Sequence, residues 1–130
     1  MHVIKATTPQ PCWRASVREI SPGFYGGNQH IYVFARRNGQ VVRDGSLAIQ
    51  WGWEGKSANE PAPLVPLNKL EPEPPANIPI NRGQNIWIGL LTDSTQTSSD
   101  MIEGLRADIP PTPGVSGSDW HHHCYEVIFE

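Results

Sequence analysis

The sequence predicts an all-β domain, an antiparallel β-sandwich with long proline-rich loops and at most one short helix. Three observations predict it. Apolar residues recur with period two in several short runs, the pattern of strands with one buried face. Turn signals, Asn38-Gly39 and Asp44-Gly45, separate such runs, because these residues tolerate positive φ. The 13 prolines and 12 glycines cluster between the runs, and no stretch carries an amphipathic helical repeat of normal length.

The elements follow in order. His2 to Thr7 is a short candidate strand. Cys12 to Ile20 places Trp13, Ala15 and Val17 on one face, with Arg14, Ser16 and Arg18 on the other. The next stretch, Ser21 to Asn28, is a turn-rich link with a Pro-Gly and a Gly-Gly pair. Gln29 to Arg37 reads as a strand, Gln40 to Arg43 continues extended after the turn, and Ser46 to Glu54 is a strand again. In this last run Leu47, Ile49, Trp51 and Trp53 share one face; Ala48, Gln50, Gly52 and Glu54 share the other.

Seven prolines lie between Glu60 and Ile80. Proline donates no ladder hydrogen bond, so this segment is edge or loop structure. Leu64, Val65, Leu67, Leu70 and Ile78 give it anchors, so it reads as a crossover packed over a sheet and not as an interdomain linker. Residues 1–130 therefore form a single domain. Asn85 to Thr92 is a strand apolar on both faces, followed by a polar loop. Ser99 to Asp108 predicts one or two helical turns, with Ser99 or Asp100 as the cap and Glu103 near the third helical position. A second Pro/Gly/Ser loop, Pro110 to Asp119, leads into a closing strand from Trp120. Among two-sheet architectures, an immunoglobulin-like or jelly-roll-like sandwich fits best, with Trp51 as the core tryptophan; a small barrel is the alternative.

Charge and composition exclude some functions. A net charge of −3 offers no basic field for a nucleic-acid backbone. No apolar run approaches the roughly 20 residues of a membrane-spanning helix. The opening MHVIKATTPQ lacks a basic region followed by an apolar core, so it does not read as a secretion signal. A cytosolic chain, or a piece of a larger secreted protein, fits that reading. Cys12 and Cys124 lie near opposite ends; a bridge between them would stabilise by about 4–5 kcal/mol in the chain-entropy model, and two buried thiols are the alternative.

Candidate sites are few. The segment DWHHHCYEVIFE raises a structural metal ion, zinc or calcium. Along a strand, His121 and His123 share a face and, with Asp119 or else Asp100, Asp108 or His30 as the third member, offer a ligand set. The competing reading places these histidines against the Pro110 to Asp119 loop through hydrogen bonds. Asp44 and Ser46 in a turn offer a weak calcium signal without the acidic repeat of a known loop. His122 and Cys124 share a face at a spacing too long for a nucleophile–base pair. Scattered carboxylates mark no acid–base pair, so the chain does not read as an enzyme. Aromatic residues are the stronger candidates, since an indole face stacks on the apolar face of a sugar ring. Trp53, Trp87, Trp120 and Tyr25 are the residues expected at the surface, and Trp13 and Tyr32 are further candidates.

The run YVFARRNGQVVRDGSLAIQWGWEG with its proline-rich crossover, together with SDMIEGL and the closing WHHHCYEVIFE, resembles β-sandwich accessory modules found beside the catalytic domains of bacterial and phage-type extracellular hydrolases. The resemblance covers the chain from about Gln29 onward. It implies a non-catalytic, extracellular module within a larger secreted protein that binds a polysaccharide, including cell-wall glycan, or packs against a neighbouring domain. It implies no cofactor and no catalytic residue. The remaining expectations are a structural spacer that self-associates, and a metal-binding domain built on His121 and His123.

Overall fold

The computed structural model of the chain describes residues 1–6, 12–92 and 98–130. These residues form β1 (His2–Ile4), β2 (Cys12–Trp13), β3 (Ala15–Ile20), β4 (His30–Arg37), β5 (Gln40–Val41), β6 (Leu47–Trp53), β7 (Leu64–Pro66), β8 (Ala76–Pro79), β9 (Ile86–Thr92), β10 (Ser98–Ser99), β11 (Met101–Leu105) and β12 (Cys124–Phe129), with no helix among the described residues. The first sheet runs β1-β11-β9-β6-β7 and is antiparallel throughout. The second centres on β12, which pairs antiparallel with β3 and parallel with β4. The far edge of β4 is shared: β8 pairs with its first half and β5 with its last two residues. A separate parallel pair joins β2 and β10.

One apolar cluster lies behind both sheets. Alternate residues of β4 (Ile31, Val33, Ala35), β6 (Leu47, Ile49), β9 (Ile86, Ile88, Leu90) and β12 (Tyr125, Val127, Phe129) enter it with Trp13 and Leu67. Each fully buried aliphatic side chain contributes about 1.5–3 kcal/mol, so the period-two pattern is itself the driving force for this pairing. At the hairpin between β4 and β5, Asn38 and Gly39 both take positive φ, as their turn requires. Trp51 is half-buried and packs on the cluster, yet its indole N–H finds no partner among the described residues.

The segment between Ser99 and Asp108 departs from expectation. It is strand, not helix. Ile102 and Leu105 both face the core, a spacing of three that imitates a helical repeat. A register shift lies between them, with Gly104 at φ 77° turning Leu105 inward. Asp100 is no helix cap. It is buried and accepts from the backbone N–H groups of Ala6 and Ala15 and from the Arg14 guanidinium. Burial alone would raise its pKa; those donors outweigh burial and hold the carboxyl below its ordinary value.

The proline-rich segment contributes two edge strands, β7 and β8, which hold Pro66 and Pro79 where a missing N–H costs no ladder bond. Leu67 and Ile78 anchor it, whereas Leu64 and Leu70 point to solvent. The closing strand starts at Cys124, not Trp120. Before it, Asp119 accepts from the His121 N–H and closes a turn that holds the histidines. Thr7 of the first expected strand, and 93–97 of the polar loop, lie outside the described residues.

Candidate functional site

Two of the expected aromatic residues line one cleft. In the register of β6 with β9, Gly52 faces Trp87 and Trp53 faces Ile86. Trp87 points away from the core and its indole lies on Gly52, so close that a Cβ there would sit 2.6 Å from Cζ2 and 2.9 Å from Nε1. Trp53 packs at the core margin with its ring centroid 5.7 Å from that of Trp51. Together Trp53 and Trp87 line a cleft of about 380 Å³ with His2, Glu54, Asn85, Ile86, Glu103 and Gly104.

The polar lining of this cleft sets carboxylates beside donors. Asn85 donates through Nδ2 to Glu54 at 3.0 Å, and its Oδ1 is shielded from water without a partner among the described residues. His2 Nε2 pairs with Glu103 across β1 and β11. The bulge at Gly104 brings Glu103 to the same wall as Trp87. Neither lysine nor arginine lines the cleft, although Arg106, bonded to Asp108 through two nitrogens, lies close enough to feel Glu54.

Tyr25 and Trp120 lie elsewhere. Tyr25 sits over the outer face of the second sheet, its ring 4.8 Å from both Phe24 and Tyr32. Its hydroxyl donates to Glu126 at 2.6 Å, and burial followed by that carboxylate pushes its pKa up to about 12. Glu126 also accepts from Arg18 at 2.8 Å; burial would raise it, and these two donors hold it low. With Phe24, His30, Tyr32, Lys69, Glu73 and neighbouring prolines, Tyr25 borders a second groove of about 410 Å³. Gly27 closes one wall, where a Cβ would sit 2.3 Å from His30 Nδ1. Trp120 is 58% exposed in the turn before β12 and lines none of these grooves. Trp13 and Tyr32, expected as further surface candidates, are buried.

The histidines diverge. His123 is fully buried, with Nδ1 3.0 Å from Glu19 and Nε2 3.0 Å from the Ile109 carbonyl. Glu19 in turn accepts from Thr112, so the network ties the loop before β12 to β3. His122 pairs with Asp119 at 2.7 Å, and the exposed His121 ring lies 3.3 Å from Arg82. His121, His123 and Asp119 are thus not gathered as ligands, and no group of three His, Cys, Asp or Glu side chains poised for a metal occurs among the described residues. Strand alternation fails as a guide here because the turn, not β12, carries these residues. Asp44 accepts from both the N–H and the hydroxyl of Ser46, which hold its carboxyl below the usual range. Cys124 is a free buried thiol that donates to the Gly27 carbonyl, and burial pushes its pKa up. A bridge to Cys12 is therefore not formed; the Cys12 side chain itself lies outside the described residues.

Sequence reasoning missed the polar half of the cleft. Glu54 and Asn85 are consecutive with Trp53 and Ile86 at the strand ends, a visible signal once the β6–β9 register is known. Glu103 and His2 carried none, because a bulge and a strand contact between distant segments place them. Comparison with family models, with curated proteins and with solved structures returns no match.

Proposed function

We propose that the chain is a non-catalytic, sugar-binding module, with the Trp53–Trp87 cleft as its site. Two indoles beside fixed hydrogen-bonding side chains are the pattern that holds a pyranose, stacking its apolar face and fixing its hydroxyls. The observation that carries the reading is Trp87 lying on Gly52. The absent side chain there lets a large ring approach the sheet closely while it lines the cleft. The inert position of Cys124 and the engagement of His123 away from it support a binding role over nucleophilic chemistry. The architecture we read as an immunoglobulin-like or jelly-roll-like sandwich, supported by two five-stranded sheets over one core. With it goes the resemblance to accessory modules of extracellular hydrolases, an extracellular setting within a larger protein, and no bound cofactor. The test is titration with a panel of soluble polysaccharides, followed by tryptophan fluorescence. Quenching that disappears in Trp87→Ala supports the reading; no response across the panel removes it.

A second reading rests on a different surface. Along the outer face of the first sheet, register aligns Ile4, Met101, Gly89, Gln50 and Leu64 in one row. Ile4, Leu64, Leu91 and Met101 are all exposed. Exposed apolar side chains gathered on one sheet face favour a spacer or self-associating domain. Sedimentation velocity across a hundredfold concentration range checks it: a dimer abolished by Met101→Glu supports the reading, and a monomer throughout removes it.

A further inference from the structure

His123 is held between two acceptors. Nδ1 lies 3.0 Å from a Glu19 carboxylate oxygen and Nε2 lies 3.0 Å from the Ile109 carbonyl oxygen. A neutral imidazole carries one N–H and one lone pair, so it satisfies only one of these contacts. A ring flipped about its Cβ–Cγ bond would present carbons to both partners. The other Glu19 oxygen accepts from the Thr112 hydroxyl at 2.8 Å. Both Glu19 oxygens thus act as acceptors, the role of an ionised carboxylate, and the second proton belongs to the ring. Opposite charges then meet where water is excluded, the His123 side chain being fully buried and that of Glu19 9% exposed. The same pair ties down the loop before β12. Among the described residues, the hydrogen bonds joining 109–118 to the rest of the fold are those of Ile109 with His123 and of Thr112 with Glu19. The others run within the loop, through Thr112, Val115 and Ser118.

We propose that Glu19 and His123 form a proton-dependent latch on this loop, independently of what the Trp53–Trp87 cleft binds. With two N–H groups on His123, the loop is clamped to the end of β3 and the entry to β12. When one proton leaves, a buried tether becomes a contact between two acceptors, and the loop loosens. The latch therefore stabilises the loop while the ring holds both protons, and that contribution is lost as rising pH removes the second. Neighbouring groups do not replace the imidazolium. The Glu19 charge acts on Cys124 and Tyr125, whose pKa values are raised with burial as the first cause, that of Tyr125 to about 12. Arg106 is bonded to Asp108, and His122 to Asp119. His123 is the ion-pair partner of Glu19 among the described residues.

The experiment follows the His123 ring nitrogens by NMR in the nitrogen-15-labelled full chain from pH 6 to pH 10. At pH 7.5 a freely solvated histidine is about nine-tenths neutral, whereas both His123 nitrogens are expected to carry protons. Hydrogen exchange of 109–119, corrected for its intrinsic pH dependence, is measured alongside. It is expected to speed up about tenfold as the second N–H is lost, the effect of one buried contact unmade. Glu19→Gln separates the charge from the packing. The new amide donates to Nδ1 and accepts from Thr112, so a neutral ring satisfies every partner. This variant is expected to show a single N–H on His123 and a corrected loop exchange that no longer changes with pH. A wild-type His123 with a single N–H at pH 7.5 overturns the proposal. So does retention of both protons up to pH 10, or a loop whose exchange ignores their loss. A pH response that persists in a folded Glu19→Gln protein overturns it as well. If that variant does not fold, the wild-type titration decides by itself.

Discussion

Replacing Gly52 by alanine tests the platform directly. Gly52 is not among the glycines with positive φ, so its backbone accepts any residue. Relief from glycine's extra chain entropy would by itself stabilise a strand by roughly 0.5–1 kcal/mol. The new methyl, however, would lie 2.6, 2.7 and 2.9 Å from Cζ2, Cε2 and Nε1 of Trp87. Ordinary carbon contacts are about 3.5–4.0 Å, so the indole has to lift by about 1 Å or swing off the sheet. Overpacking of this kind costs about 1–3 kcal/mol, which exceeds the backbone gain. The net expectation is a loss of about 1–2 kcal/mol. For a domain of this size that lowers Tm by about 4–8 °C. Thermal denaturation by circular dichroism reads the stability, and the emission maximum reads the indole, which becomes more solvated. Sugar-dependent quenching weakens in parallel. A Gly52→Ala protein with unchanged or raised Tm and unchanged emission would refute the claim that Trp87 rests on this position.

Other expectations follow from buried polar groups. Asp100→Asn removes the charge that Arg14 and two backbone N–H groups face, and is expected to destabilise by about 2–4 kcal/mol by urea titration. The folded carboxyl has a lowered pKa, so its stabilisation is complete above the unfolded value near 4 and is lost as pH falls through the folded value; the wild type should show an acid-induced loss that Asp100→Asn lacks. All three tyrosine pKa values are raised, with burial first among the causes, those of Tyr25 and Tyr125 to about 12. Absorbance at 295 nm should therefore show little phenolate at pH 10 in the folded protein and about half of the phenols ionised at that pH after unfolding; a normal titration near 10 would contradict the packing. His123→Ala leaves the buried Glu19 carboxylate without its imidazole and should cost about 2–4 kcal/mol, while His121→Ala leaves Tm unchanged. In a Cys12→Ser background, Cys124 should resist a thiol reagent until the chain unfolds, since its sulfur is buried and its pKa raised.

Much of the sheet structure was legible because burial alternates where strands are regular. The run over β6 carries a period-two apolar face, those over β4 and β9 are short continuous apolar runs, and Asn38-Gly39 marks its turn through its own backbone preferences. Legibility ended where pairing over long sequence distance decides. Ile102 and Leu105 read as a helical face because a bulge, invisible locally, resets the alternation. Asp100 read as a cap because a short acidic residue before an apolar run fits both roles, and only the approach of Ala6 and Arg14 selects the other. The histidine run read as strand because it abuts one, whereas the Asp119 carboxylate closes a turn first. For the site, tryptophan parity pointed to Trp87 and the rim position of Trp53. It gave no means of separating them from Trp120, nor of supplying Glu103 and His2. Which rings share a cleft is a property of register between strands, and register is not written in any single strand.

The position of β12 carries a consequence for how the molecule is made. It is an interior strand of the second sheet, flanked by β3 and β4, so neither neighbour can complete its ladder without it. Contacts such as Arg18 with Glu126 span 108 residues of chain. Until that segment is present, the hydrogen-bonding edges of β3 and β4 stand open, and the apolar side chains they carry have no lid. Such non-local closure places folding in the slow regime, about milliseconds to seconds, and makes the nascent chain vulnerable to edge-to-edge association while it waits.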